Sequence, residues 1–117
     1  MEKHYSGGCQ CGAVLFEVDV NLDQSITCNC SRCQPLGVVL AFAPRDKFIL
    51  HNGAENLTEY RFNKREIAHL FCKICGIQSF SYGQMPDGTK IAAINVNTLK
   101  DVKPSELSPT HFDGRSI

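Results

Sequence analysis

The 117-residue sequence carries no surplus of charge: Lys+Arg and Asp+Glu each number 12. A surface without net positive charge has no general means of neutralising a run of phosphates, so no nucleic-acid partner is expected. No apolar stretch approaches the roughly 18–20 residues of a membrane span, so no membrane partner is expected either. The segment Met1-Glu2-Lys3-His4-Tyr5 lacks the charged-then-apolar layout of a signal peptide. Internal repeats, low-complexity tracts and linker-like segments are missing, and one domain over residues 1–117 is expected. The glycines fall in no strand–helix context with a long Gly pattern, which argues against a phosphate-cradling loop. A sustained helical period is also missing; at most Ser31–Leu36 or Pro104–Leu107 offers a turn of helix.

What the chain does have is period two. Val14, Phe16, Val18 and Val20 alternate with Glu17 and Asp19, the pattern of a half-buried strand. Val38 to Ala43, stopped by Pro44, and Lys47 to His51, ended by the tight-turn signal Asn52-Gly53, read as further strands. Thr58, Tyr60 and Phe62 alternate with Glu59 and Arg61. Glu66 to Phe71, Ser79 to Tyr82 and Lys90 to Val96 complete a mainly antiparallel β chain.

Seven cysteines sit in three tight clusters at the ends of these segments: Cys9-Gln10-Cys11, Cys28-Asn29-Cys30-Ser31-Arg32-Cys33 and Cys72-Lys73-Ile74-Cys75-Gly76. An odd number excludes complete internal pairing. Cysteines one or two residues apart also fit poorly to the Cα separation and dihedral of a disulfide. They fit a metal well, because Zn²⁺ accepts thiolates at about 2.3 Å in a tetrahedral shell and C-x₂-C is a common half-site. Reduced, metal-binding thiols without an export signal point to the cytoplasm. Gly76 stands where a knuckle turn needs positive φ so that backbone N–H groups reach sulfur, and Gly7, Gly8 and Gly12 flank the first pair in a similar way.

Seven ligands divide naturally into one closed site of four and one open site of three. Spacing leaves the division unsettled. Cys9, Cys11, Cys72 and Cys75 could share one ion and Cys28, Cys30 and Cys33 another; equally, Cys9, Cys11, Cys28 and Cys30 could pair off against Cys33, Cys72 and Cys75. A histidine could close the second site instead of leaving it open. His69 is nearest in sequence to a cysteine but lies in an alternating stretch and reads as a strand side chain. His4, His51 and His111 have no ligand-like spacing.

Gly7-Gly8-Cys9-Gln10-Cys11-Gly12-Ala13-Val14-Leu15-Phe16, the middle cluster with Gln34, and Phe71 to Gly76 together resemble the glutathione-dependent formaldehyde-activating family, which also includes centromere protein V. Asn97 to Val102 and His111-Phe112-Asp113-Gly114 resemble the C-terminal end of that family, so the likeness spans nearly the whole chain. The resemblance implies a β-tent fold of small antiparallel sheets around a structural zinc. It implies that Cys9, Cys11, Cys72 and Cys75 hold that zinc, and that Cys28, Cys30 and Cys33 form a catalytic site with an open position. It further implies two Zn²⁺ per chain and carbon–sulfur lyase-type chemistry on a small thiol and aldehyde of the glutathione–formaldehyde kind. A non-catalytic zinc-stapled interaction module or a thiol-based sensor is the competing expectation. A pocket of convergent groups over Cys28–Cys33 would favour the enzyme, a flat surface the module.

Overall fold

The structure is a computed structural model that describes residues 1–62 and 64–116. It contains ten strands: β1 (Glu2–Gly8), β2 (Leu15–Asn21), β3 (Ile26–Cys28), β4 (Val39–Pro44), β5 (Phe48–Asn52), β6 (Leu57–Tyr60), β7 (Ala68–Cys72), β8 (Gln78–Gln84), β9 (Lys90–Asn95) and β10 (Thr110–Phe112). A single α-helical turn, α1 (Cys33–Leu36), and several 3-10 turns join them, one of which covers Pro104–Glu106. The protein is mainly β, as its period-two pattern requires. The strands form a three-stranded sheet, β1-β2-β5, and a seven-stranded sheet, β10-β3-β4-β9-β8-β7-β6. All pairings are antiparallel except the one between β10 and β3.

Alternation decides which side chains meet between the sheets. Phe16, Val18 and Val20 of β2 are no more than 2% exposed, while Glu17 and Asp19 point outward. Across from them lie Ala41 and Ala43 of β4, Leu70 of β7, Phe80 of β8, and Ala92 and Ile94 of β9. Phe16, Phe48 and Phe80 form one aromatic group, with centroids 4.7–5.9 Å apart, and so bolt the small sheet to the large one. Each such ring contributes about 1.5–3 kcal/mol on burial.

Asn52-Gly53 makes the expected turn, with Gly53 at φ 101°, and β5 pairs with β2 while β6 pairs with β7. The turn hands the chain from one sheet to the other. Gly7 and Gly8 make no knuckle; they end β1 against other backbone, and a Cβ on Gly8 would lie 2.2 Å from the Val14 carbonyl oxygen. The strands β1, β3 and β10 carry too little alternation to be read from sequence.

Candidate metal centre

The two sheets meet at one of two sulfur clusters. Cys9 and Cys11 lie in the turn between β1 and β2, while Cys72 ends β7 and Cys75 lies in the turn that leads to β8. All four sulfurs lie within 4.8 Å of one another. Cys11 Sγ is 3.7 Å from both Cys9 Sγ and Cys72 Sγ. A disulfide would bring the sulfurs to about 2.05 Å. Four thiolates at about 2.3 Å from a central ion stand about 3.8 Å apart along the edges of a tetrahedron, and the observed spacing matches. Gly76, at φ 81°, turns the chain so that its own N–H bonds the Cys72 carbonyl. The amides of Val14 and Ile74 donate to the sulfurs of Cys9 and Cys72. The N–H groups of Ile77 and Cys11 hold the Cys75 thiol down at about 6, toward the thiolate form that a metal requires, whereas the Cys11 thiol, although the Ala13 amide lowers it, is pushed up to about 11 by burial and the neighbouring thiols.

The second cluster comprises Cys28 at the end of β3, Cys30 in the following loop and Cys33 opening α1; their sulfurs also lie within 4.8 Å of one another. The Cys30 amide donates to Cys28 Sγ at 3.4 Å and the Cys33 amide to Cys30 Sγ at 3.3 Å. Burial pushes the Cys33 thiol up, with the Cys30 thiol beside it adding to the effect. Burial opposes ionisation of Cys30 too, but the N–H groups of Cys33 and Arg32 prevail and lower it. Among the described residues no histidine joins either cluster. His69 sits in β7, 6% exposed and with its ring centroid 5.1 Å from that of Phe62, and burial and the nearby Arg32 charge lower its pKa. The fold thus brings the thiols together as four and three, with each set suited to a divalent ion.

Several residues around the second cluster are not evident from spacing. The C-terminal segment lies against it through the parallel β3–β10 pairing, and His111 meets Thr27 Oγ1 at 3.0 Å. Asn29 is held on three sides: its side-chain amide donates to Asp113, its Oδ1 accepts from the Arg115 amide, and its carbonyl accepts from Arg115 Nε. Gly114 packs so closely that a Cβ there would stand 2.6 Å from Cys28 Sγ. On the other side, the Arg32 guanidinium bonds Gln78 Oε1 and lies over the rings of Tyr60 and Phe71. The only hint in sequence was the His111-Phe112-Asp113-Gly114 motif.

A groove of about 420 Å³ opens beside the first cluster, lined by Cys9, Gln10, Leu36, Ile77, Gln78 and Asn97 among others. A second, of about 390 Å³, lies beside Gly53 and His51. The sulfurs of the second cluster line neither groove. Among the described residues no helix is long and apolar enough to cross a membrane.

Comparison with known proteins places this geometry in context. A crystal structure of a protein from Rhodobacter sphaeroides is similar with a TM-score of 0.81 and 34% sequence identity, covering 91% of this chain and 97% of that one. The model of the glutathione-dependent formaldehyde-activating enzyme family matches residues 4–112, and so takes in all three cysteine clusters and the start of the C-terminal clasp. On that match the chain belongs to the glutathione-dependent formaldehyde-activating enzyme family.

Proposed function

We propose that this chain is a zinc-dependent carbon–sulfur lyase-type enzyme acting on a small thiol–aldehyde adduct of the glutathione–formaldehyde kind, as one domain with two zinc ions. Cys9, Cys11, Cys72 and Cys75 hold a structural ion, and Cys28, Cys30 and Cys33 hold a second with one position left for substrate. The observation that carries this reading is the contrast between the clusters: four convergent sulfurs in one, three in the other, with no fourth protein ligand beside them among the described residues. Seven unpaired thiols also suit a reducing compartment such as the cytoplasm.

When bound, the second ion would supply a Lewis acid with affinity for a soft sulfur. The three cysteine thiolates more than offset the ion's +2 charge, which weakens it as an electrophile, so the site is suited to receiving a soft thiolate rather than to activating water. In the forward direction the thiol sulfur forms a bond to the aldehyde carbon, and the thiol proton ends on the carbonyl oxygen. In reverse the same carbon–sulfur bond breaks and the proton returns. The amides of Cys30 and Cys33 fix the sulfurs in place, and the segment Phe112–Ser116 walls one side of the cluster.

Native mass spectrometry with and without chelator counts the ions. Exchange of glutathione and formaldehyde with their adduct, followed by NMR against a Cys30→Ser control, tests the chemistry. Two zinc ions and faster exchange are expected. A single tight zinc, with Cys28, Cys30 and Cys33 free or disulfide-bonded, defeats the reading. A non-catalytic module or thiol sensor is favoured by one observation, that the second cluster's sulfurs line neither groove; zinc loading without faster exchange would decide for it.

A further inference from the structure

Arg32, immediately before the last ligand of the second cluster, is tied to the strand that leaves the first. Arg32 Nη2 and Nε both donate to Gln78 Oε1, at 2.8 and 3.2 Å. The same guanidinium lies 4.9 Å from the Tyr60 ring centroid and 5.8 Å from that of Phe71. These partners come from β6, β7 and β8, on the far side of the cluster from the C-terminal clasp on Asn29. Gln78 is itself 7% exposed, lies three residues after Cys75, and has its carbonyl held by Asn95 Nδ2 at 2.8 Å. It is therefore a fixed point, set directly by the knuckle of the first cluster, whose Cys72 amide bonds the neighbouring Ile77 carbonyl.

We propose that Arg32 is a positioning residue for the second cluster, linking the loop that carries Cys30 and Cys33 to the first cluster by way of Gln78. A six-residue loop with ligands at its two ends and near its middle has two halves to restrain. Asn29 fixes the first half through Asp113 and Arg115. Arg32 fixes the second half, where Cys33 opens a helix of only four residues that cannot hold its own orientation. A planar guanidinium suits this task, because it offers two N–H groups to one acceptor while its face stacks on aromatic rings. The proposal rests on the reading that the second cluster holds a metal ion.

The test uses the full chain reconstituted with Co²⁺, whose thiolate charge-transfer bands report each site, with chelator titration of Arg32→Ala, Arg32→Lys, Gln78→Leu and Gln78→Glu. Partners that orient metal ligands typically change affinity about 10- to 100-fold when removed, and that loss is expected at the second site for Arg32→Ala and Gln78→Leu, with the first site unchanged. Gln78→Glu keeps an acceptor oxygen for the fork and is expected to hold second-site affinity within about threefold of the parent, while Arg32→Lys recovers only part. Second-site affinity unchanged in Arg32→Ala, equal weakening of both sites, or Gln78→Glu as weak as Gln78→Leu would each overturn the proposal. If Arg32→Ala does not fold, the two Gln78 variants decide alone. A parent chain that takes up one cobalt only defeats the two-metal reading and this proposal with it; two cobalts and an indifferent Arg32 defeat this proposal alone.

Discussion

Replacing Gly114 by alanine should disable the second cluster while leaving the first intact. The added Cβ would lie 2.6 Å from Cys28 Sγ, and 3.4 Å from both Cys30 Cβ and the Phe112 ring. Ordinary contact distances are about 3.5–4.0 Å, so roughly 1 Å of movement is needed. Metal–sulfur distances tolerate only about 0.2 Å, so moving the sulfur that far removes one of three ligands. The other way out is for the C-terminal segment to lift, which breaks the three bonds that Asp113 and Arg115 make to Asn29. Each is worth about 0.5–1.5 kcal/mol at most, and these are exposed, so the total falls near the low end, about 1–2 kcal/mol. Both routes spare the aromatic core and the four-sulfur site, so the thermal midpoint should fall by no more than about 10 °C. The assay is zinc content by native mass spectrometry at increasing chelator, with the midpoint followed in parallel. The expected result is loss of the second ion at lower chelator, with the first retained. Two ions held as tightly as in the parent would refute the close packing of Gly114 on Cys28 and the wall it makes.

Cys72→Ser should sharply lower solubility and the thermal midpoint, because metal binding at the closed site is folding free energy, whereas Cys30→Ser should cost little stability and abolish the chemistry; calorimetry and the adduct-exchange assay separate the two. Mild chelator should strip the three-ligand site before the four-ligand site, which inductively coupled plasma measurements on dialysed samples would show as passage through one zinc per chain. On the outer face of the small sheet, Asp19 and Glu17 raise the pKa of His4, and His4 and His51 lower that of Glu17. A raised histidine stabilises most below its unfolded value of about 6.5 and loses that contribution as pH rises through its folded value; a lowered carboxylate contributes above about 4.5 and is lost as pH falls. Denaturant midpoints of His4→Asn should therefore lag the parent at pH 5–6 and converge with it by pH 8; a gap independent of pH would contradict this.

The parts of the fold that were legible in the sequence are those where alternation is imposed by a core on one side. Val14 to Val20 show it because Phe16, Val18 and Val20 face Phe80 and Ile94 while Glu17 and Asp19 face water. The cysteine clusters were legible because ligand spacing is local. Pairing between distant segments is not local, and there the sequence was silent. The strand β10 has three exposed residues and no pattern, and it is placed only by its ladder to β3. Arg32, Gln78 and Asn29 likewise matter through partners as far as 86 residues away, and nothing in their immediate sequence marks them, while Gly114 is marked only by the C-terminal motif. Glycine position was legible where φ decides it, at Gly76, and misread where close backbone approach decides it, at Gly7 and Gly8.

The parallel β10–β3 ladder fixes an order of events during synthesis. Asn29 and Asp113 are 84 residues apart, and at about 5–20 residues per second the ribosome needs roughly 4–17 s to make the intervening chain. Throughout that interval Cys28, Cys30 and Cys33 exist without the wall that Gly114 and Arg115 later provide. Cys72 and Cys75 arrive before that wall, so the four-sulfur set is complete while the three-sulfur set is still uncovered. Until that cover is made, the nascent chain exposes three adjacent thiols to oxidants and competing metals.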